Sequence, residues 1–414
     1  MIMDSDSVRG IGRRRLLRWG GLAAGASLAG AWPGRAASAA TGPGPSGDDR
    51  IPPGTRPGGA YDQYVAGLAA KGLFSGVVLL SHQGRTVLSR SYGMADKEKG
   101  IPNGEDIAFN LSSAGKPFGA VAIMQLVQQG KVQLLDTVGT HLTGFAPDIA
   151  KQVTIHEMLS GSSGLNDPDV DVQRIFYSRE EVQEYYEQWA QSAQLVGTPG
   201  IPDPLHEGPN IEIPALIVEA VTGMTYWDYV QEHVFARCGM TGSAFYTRPQ
   251  WLTDPHIAHP YMTLADGSVV DAIRNLGDSS PDPDDLGENP GRSFIDPPGD
   301  GGFVTAPDLV RFARALGDGT LLGRPYADLL TGAKFPQSAG SFMAYDIPVH
   351  IVGGQWVYER GGAGPGIGAN WDIYPDTGWV GVILGNCDNI PLVEMLQQEM
   401  QAVTGQAVSG AGGG

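Results

Sequence analysis

Strand-type apolar runs lie near both ends of the chain, and apolar residues at helical spacing lie between them. Near the start, residues 74–81 and 85–92 are runs of this strand type, and His82-Gln83-Gly84 between them predicts a hairpin turn. Three more strand-type runs close the chain, at 349–358, 366–374 and 379–384. The pattern therefore predicts a sheet whose strands come from both ends of the chain.

Apolar residues recur at helical spacing in several segments. These predicted helices span residues 61–71, 113–129, 153–159, 176–194, 211–238, 308–316 and 391–404. Strands at both ends with helices in the middle indicate an α+β fold. We expect an antiparallel sheet flanked by helices, with a mostly helical subdomain inserted at roughly residues 115–310.

The first forty residues carry the features of an export signal. Arg13-Arg14-Arg15 precedes an apolar, small-residue run at 22–31, and Ala37-Ser38-Ala39 is a suitable cleavage site. This order predicts a twin-arginine-type signal peptide over 1–40 and an exported protein, periplasmic or extracellular. The apolar run is short and interrupted by glycines, so we expect no stable membrane anchor.

Composition divides the remainder into three parts. Residues 41–58 are rich in proline, glycine and serine and are typical of a linker, and 407–414 predict a flexible tail. The segment between them, 59–406, has globular composition, and its length allows two or three domains or one large domain with an inserted subdomain. Its only cysteines, Cys238 and Cys387, have no metal-ligand neighbours, and we expect free, mostly buried thiols.

Charge excludes some classes of partner. The chain has a net charge of −18, and without residues 1–40, which hold six arginines and two aspartates, it keeps 21 basic and 43 acidic side chains. A surface this acidic disfavours nucleic acid and anionic membranes. No cofactor motif and no metal-binding pattern of histidines or clustered carboxylates is present, so we expect neither.

Ser113 and Lys116 are the first candidates for chemistry. They stand three residues apart where an apolar, helix-period run begins, so on a helix the lysine amine can reach the serine hydroxyl. A lysine whose pKa is lowered by partial burial can take the serine proton, and a helix's first N–H groups favour a developing oxyanion. The pair predicts an acylation device, although S-x-x-K also arises by chance at solvated helix ends.

Several further pieces follow in order over residues 72–390. They are Tyr92-Gly93-Met94, Gln125 to Asp136, His156-Glu157-Met158 with Ser163-Gly164-Leu165, Gly301 to Leu309, Gly361 to Gly366, Tyr374 to Gly378, and Gly385-Asn386. With these pieces the chain resembles the serine hydrolase group of class C β-lactamases, D-alanyl-D-alanine peptidases and family VIII carboxylesterases. The resemblance implies the β-lactamase/penicillin-binding-protein-like fold and chemistry without a metal or cofactor.

The resemblance also implies a two-step acyl transfer on an ester or amide of a small molecule or short peptide. Ser113 would form the acyl-enzyme with the help of Lys116. The backbone N–H groups of Ser113 and Ala363 would hold the oxyanion, and Gly362 lies beside Ala363 in the same strand segment.

The family's Tyr-x-Asn element is replaced in this chain. Counting back from Glu219 and Gly223 in the helix that follows puts the tyrosine position at His206 and the asparagine position at Gly208. An imidazole with a pKa near neutrality can act as the base in place of tyrosine. The alternative is an exposed loop histidine in a protein that has lost its base. Asn210 is the candidate to replace the missing asparagine.

The third family element, Lys-Thr-Gly or His-x-Gly in relatives, aligns with Arg360-Gly361-Gly362. The arginine keeps a permanent positive charge and is able to pair with a substrate carboxylate. The alternative is an arginine at a strand end that pairs with an acid such as Glu359.

We therefore expect an exported serine hydrolase, a carboxylesterase, amidase or peptidase, with Ser113, Lys116 and His206 as its catalytic residues. Two alternatives stay open: a catalytically degenerate member that binds a ligand without turnover, and an acyltransferase that uses an acceptor other than water. Lactam, ester and peptide substrates all occur on this scaffold, so fold analogy does not choose among them.

Overall fold

An eight-stranded antiparallel sheet forms the centre of the computed structural model, which describes residues 51–202 and 208–406. Its strands are β1 (Gly76–His82), β2 (Arg85–Tyr92), β9 (Phe335–Ser338), β10 (Ser341–Met343), β11 (Pro348–Val352), β12 (Gln355–Gly364), β13 (Ile367–Tyr374) and β14 (Trp379–Gly385). The order across the sheet is β2-β1-β14-β13-β12-β11-β10-β9. The predicted α+β fold, with a sheet built from both ends of the chain, is confirmed.

The two ends of the chain meet where β1 pairs with β14. Val78 lies opposite Ile383, and the register continues without a break from Gly76 to His82. The predicted hairpin between β1 and β2 is also confirmed. Gln83 and Gly84 have positive φ angles of 49° and 74°, the turn conformation that suits the right-handed twist of paired strands.

The run 349–358 is a hairpin and not the single strand that its pattern predicts. β11 ends at Val352 and β12 begins at Gln355, with Gly353 and Gly354 at φ angles of 58° and 77° between them. Two adjacent glycines supply the left-handed backbone that reverses the chain. Beyond β11, the short strands β9 and β10 extend the sheet, and the sequence analysis did not include them.

Helices cover both faces of the sheet and fill the middle of the chain. They are α1 (Ala60–Ala70), α2 (Pro117–Gln128), α3 (Val138–His141), α4 (Pro147–Gln152), α5 (Ile155–Leu159), α6 (Arg179–Gln191), α7 (Gly208–Thr222), α8 (Tyr226–Val230), α9 (Arg248–Thr253), α10 (Ala306–Gly317), α11 (Arg324–Thr331) and α12 (Leu392–Thr404). The region between the outer strands also holds three two-stranded sheets. These pair β3 (Met94–Asp96) with β4 (Ile101–Pro102), β5 (Phe109–Asn110) with β8 (Phe303–Val304), and β6 (Tyr261–Thr263) with β7 (Val269–Asp271).

Two separate cores pack against the sheet. α1 and α12 enclose the smaller core, whose buried side chains include Tyr61, Val78 and Met395. α2, α7, α8 and α10 enclose the larger core on the other side, around Phe118, Phe312 and Trp371. Central strand β14 is buried along its whole length, which explains why its sequence is a continuous apolar run.

The predicted helix over 211–238 is interrupted in the structure. α7 ends at Thr222, and Gly223 turns the chain with a φ of 73° before Thr225 caps α8. A π-helical turn, Gln231–Ala236, continues from α8. Among the described residues, no helix has both the length and the apolar character needed to cross a membrane.

Part of the predicted linker is packed. Pro53–Thr55 form a 3-10 turn, the Thr55 side chain is fully buried, and a Cβ at Gly54 would lie 3.3 Å from Ala402 Cα on α12. The folded unit therefore begins before residue 59. The predicted signal peptide (1–40), the rest of the linker to residue 50, the tail (407–414) and His206 lie outside the described residues.

Candidate active site

Ser113 lies in a 3-10 turn, Ser112–Gly115, between β5 and α2. The sequence analysis placed it on the helix itself, but α2 begins only at Pro117, because proline suits the first helical position. The predicted proximity of the pair does not depend on this difference, because side chains three residues apart are eclipsed in a 3-10 turn. Lys116 directly precedes α2, is 8% exposed, and its N–H donates to the Ser113 carbonyl at 3.2 Å.

The residue before the nucleophile candidate has a strained backbone. Ser112 has a φ of 46°, a left-handed conformation that costs a residue other than glycine about 1–2 kcal/mol. Three contacts hold it there. Asn110 Oδ1 accepts from the Ser112 N–H at 2.8 Å, Asn110 Nδ2 donates to Asp296 Oδ2 at 2.8 Å, and the Ser112 hydroxyl donates to the Ala363 carbonyl at 2.9 Å. Such strain is typical of functional sites.

The edge of β12 faces this turn. β11 pairs only with Gln355 to Tyr358, so the later part of β12 presents that edge to Ser112 and Ser113. In an antiparallel strand the N–H and C=O of one residue point to the same side. Because the Ala363 carbonyl accepts from Ser112, the Ala363 N–H also points toward the turn, as the oxyanion prediction requires.

Gly362 allows the strand and the turn to approach closely. A Cβ at this position would lie 2.0 Å from Leu111 O, 2.6 Å from Ala114 N and 2.9 Å from Ser113 N. All three atoms belong to the backbone, so no rotamer change relieves the overlap. The lack of a side chain at Gly362 therefore leaves room for the backbone of the Ser113 turn, and the sequence motif does not indicate this requirement.

Arg360 lies beneath the turn. It is 7% exposed, and its Nε donates to the Ser113 carbonyl at 3.0 Å. Among the described contacts, the guanidinium thus holds the backbone of the nucleophile candidate. The sequence analysis expected Arg360 to pair with a substrate carboxylate at the pocket edge, and that role stays a prediction beside this hydrogen bond.

A second segment closes on the turn from the other side. A Cβ at Gly115 would lie 2.3 Å from Gly301 Cα, and Gly301 and Gly302 have φ angles of 69° and 72°. Just before these glycines lies the buried side chain of Asp296. Burial and the nearby Asp300 raise the pKa of Asp296 well above its usual value. The Ser113 turn is therefore enclosed by β12 and by residues 296–302.

α7 carries two buried polar residues in its first turns, Asn210 and Glu212, which are 2% and 5% exposed. The substitution of Asn210 for the family's asparagine stays a prediction. Burial raises the pKa of Glu212 to about 8. Asp300 and Glu219 act in the same direction, while the Gly299 N–H and the charge of Lys116 act against them. The sequence analysis missed Glu212. The available signal was a lone acid between two isoleucines, Ile211 and Ile213, on an apolar helix.

His206 is the predicted base. His206 lies outside the described residues, which end at Pro202 and resume at Gly208. At the start of α7, the Gly208 N–H donates to Asp167 Oδ1 at 2.8 Å. Whether the imidazole reaches Ser113 therefore stays a prediction.

Within the described residues, one group of possible metal ligands lies close together: Asp96, His259 and Asp271, with ligand atoms within 4.8 Å of one another. The guanidinium of Arg274 donates to Asp96 Oδ2 at 2.9 Å and also to Asp271 Oδ2. His259 Nδ1 lies 2.7 Å from Asp271 Oδ2. An arginine thus supplies the positive charge that these acids need, and the cluster is a buried ion-pair network.

Both cysteines are free and half-buried. Burial raises the pKa of Cys238 to about 12 and also raises that of Cys387, so neither thiol has the character of a nucleophile.

The sheet, the flanking helices and a strained serine turn against one strand edge define the β-lactamase/penicillin-binding-protein-like fold. The family model described as beta-lactamase matches residues 61–402, and the chain belongs to the β-lactamase family.

Named relatives include both penicillin-binding proteins and an esterase. The chain is 27% identical over 303 residues to PbpX of Bacillus subtilis (strain 168), which covers 71% of this chain and 66% of that protein. It is 36% identical over 102 residues to esterase EstB of Burkholderia gladioli, covering 24% of this chain and 26% of the esterase. The match thus spans less than two thirds of either relative. A penicillin binding protein from Bacillus halodurans has a similar structure, with a TM-score of 0.66, 26% identity, and coverage of 80% of this chain and 99% of that one.

Proposed function

We propose that this protein is an exported serine hydrolase that cleaves an ester or amide of a small molecule or short peptide through an acyl-enzyme on Ser113. One observation carries the proposal. Ser113 lies in a strained turn beside the edge of β12 that faces this turn, and the buried Lys116 follows three residues later. Membership of the β-lactamase family and the similarity to an esterase support it.

The geometry supports a two-step reaction. In the first step the Ser113 Oγ attacks the carbonyl carbon while its proton passes to the Lys116 amine. The oxyanion forms beside the N–H groups of Ser113 and Ala363. The tetrahedral intermediate then expels the alcohol or amine, which takes the proton from Lys116. In the second step water attacks the acyl carbon, releases the acid and restores the serine hydroxyl.

We assign His206 as the base that replaces the family's tyrosine. The imidazole accepts a proton from the deacylating water and returns it to Ser113. Support comes from its position in the sequence, just before α7, whose Glu212 lies within electrostatic reach of the Lys116 charge. The export assignment rests on the arginine-rich start of the chain.

Intact-mass spectrometry after exposure to a fluorophosphonate, and separately to p-nitrophenyl acetate, tests the proposal. We expect one adduct on the wild type, none on Ser113→Ala, and an acetyl adduct that persists much longer on His206→Ala. Ser162→Ala, which removes another buried serine hydroxyl, is the matched control and retains the adduct. An adduct that survives Ser113→Ala, or none on the folded wild type, contradicts the proposal. The second result leaves a ligand-binding member of the fold.

A further inference from the structure

Asp296 lies behind the Ser113 turn, and the two-step reaction does not use it. Its side chain is 5% exposed, and its Oδ2 accepts a hydrogen bond from Asn110 Nδ2 at 2.8 Å. Burial raises the pKa of this carboxyl group, so its presence in the interior costs the fold free energy. A buried acid that reaches the turn of the nucleophile through a single side chain is a candidate for a role in the reaction.

The side-chain amide of Asn110 connects Asp296 with the backbone of Ser112. Its Oδ1 accepts from the Ser112 N–H at 2.8 Å, while its Nδ2 donates to the carboxyl group of Asp296. An amide nitrogen donates and an amide oxygen accepts, so the carboxyl group fixes which end of the amide faces Ser112. If the amide turned over, its Nδ2 would face the Ser112 N–H, and two donors would oppose each other.

The backbone of Ser112 needs this support. Its φ of 46° is a conformation that glycine adopts freely and that a side chain disfavours. The hydrogen bond to Asn110 favours this conformation and so offsets part of the strain. In the same conformation the Ser112 hydroxyl donates to the Ala363 carbonyl at 2.9 Å, which docks the turn on β12 beside the proposed oxyanion site.

Asp296 is itself held by two neighbouring segments. Trp227 Nε1 on α8 donates to the Asp296 carbonyl at 2.8 Å, and the Gly302 N–H donates to the carboxyl group. The Gly302 carbonyl in turn accepts from the N–H of Leu111, the residue before Ser112, at 2.9 Å. The carboxyl group is therefore anchored to α8 and to the segment that encloses the turn.

We infer that Asp296 is a positioning residue for the acylation of Ser113. It fixes the amide of Asn110, the amide holds Ser112 in its left-handed conformation, and that conformation sets the direction of the Ser113 hydroxyl. The inference rests on the proposed function, because it concerns the acylation of Ser113. Among the described contacts Asp296 does not touch Ser113, so its loss should slow the chemical step and leave ester binding unchanged.

The first experiment measures the burst of p-nitrophenol released from p-nitrophenyl acetate. In Asn110→Ala the maximal burst rate should fall about tenfold, because the strain at Ser112 is no longer offset. The ester concentration that gives half of this rate should stay within about twofold of the wild-type value. Asn289→Ala is the matched control and should leave both values unchanged. Asn289 is equally buried, and its Oδ1 also accepts from the N–H two residues later, that of Gly291, at 2.8 Å.

Two combinations of variants separate positioning from a general loss of structure. Glycine at position 112 adopts the left-handed conformation without strain, so in the Ser112→Gly background Asn110→Ala should slow the burst less than about threefold. Asp296→Ala alone should slow it about three- to tenfold. Adding it to Asn110→Ala should cost less than about a further twofold, because both act through one amide. A loss that Ser112→Gly leaves undiminished overturns the inference, and so do losses that multiply.

The second experiment follows hydrogen exchange of the Ser112 N–H by mass spectrometry of the peptides that contain it. Exchange should become about tenfold faster in Asn110→Ala and Asp296→Ala and should keep its wild-type rate in Asn289→Ala. Unchanged protection of Ser112 in Asp296→Ala, in a protein that is folded by circular dichroism, contradicts the inference. If the wild type forms no acyl-enzyme at all, the proposed function fails, while the exchange rate still decides whether Asp296 holds the turn.

Discussion

The buried carboxyl groups of Glu399 and Asp372 should make the folded protein less stable as the pH rises. Glu399 projects from α12 onto the sheet, where Gly381 leaves room for it, since a Cβ at that glycine would lie 1.6 Å from Glu399 Oε1. Both carboxyl groups are fully buried. Burial raises the pKa of Glu399 to about 8, Glu359 adds to the effect, and burial next to Glu399 raises the pKa of Asp372 as well.

The sign follows from proton binding. Between the ordinary pKa of 4.5 and the raised value of about 8, the folded protein holds a proton on Glu399 that the unfolded chain does not. Stability therefore falls as the pH rises through this window and is lowest above it. At about 1.4 kcal/mol per pKa unit, the shift of Glu399 alone amounts to roughly 4–5 kcal/mol, a large share of a typical unfolding free energy.

Thermal and urea unfolding at about pH 5, 7 and 9 measure the effect. The wild type should become less stable at each step. Glu399→Gln, which resembles the protonated acid, should match the wild type at pH 5 and exceed it by several kcal/mol at pH 9. Glu394→Gln, an exposed position on the same helix, is the control and should follow the wild type. Parallel pH curves for wild type and Glu399→Gln would refute the reasoning.

Three further predictions concern the site and its walls. Gly362→Ala should slow Ser113 acylation at least about 100-fold, because its Cβ would overlap the backbone at Leu111. Gly277→Ala is the control and should leave the acylation rate unchanged, because nothing lies within 4 Å of that position. Arg360→Gln should slow acylation about tenfold in a folded protein, because the Ser113 carbonyl loses its charged donor; an unchanged rate would contradict that role. Arg292 donates to four backbone carbonyls of the 172 and 276–287 segments, so Arg292→Ala should lower the unfolding free energy by about 2–4 kcal/mol and expose these loops to limited proteolysis; equal protease resistance would argue against it.

The parts of the fold that were predictable are those with local causes. The β1–β2 hairpin follows from apolar runs that flank a glycine turn. The break at Gly353-Gly354 was missed because the apolar runs on both sides resemble one strand. Strands β9 and β10 were missed because they lie at the sheet's edge, where few of their side chains are buried.

The site could be predicted only in part, because several of its features depend on contacts between distant segments. Gly362 is required by the backbone of residue 111, which lies 251 positions earlier in the chain. Arg360 has the expected charge but bonds the carbonyl of Ser113, which a motif comparison does not indicate. Glu212 had no counterpart in the family motifs, and only its burial and its raised pKa make it conspicuous.

The most direct test of the account is to locate the acyl group itself. The protein is mixed with p-nitrophenyl acetate, quenched in acid within the burst of p-nitrophenol release, and digested for peptide mapping. We predict acetylation of Ser113, and none there in Lys116→Ala, while the neighbouring Ser112 stays unmodified in both. An acetyl group on any other side chain, or a burst that Lys116→Ala leaves unchanged, would contradict the claim that Ser113 and Lys116 form the acylating pair.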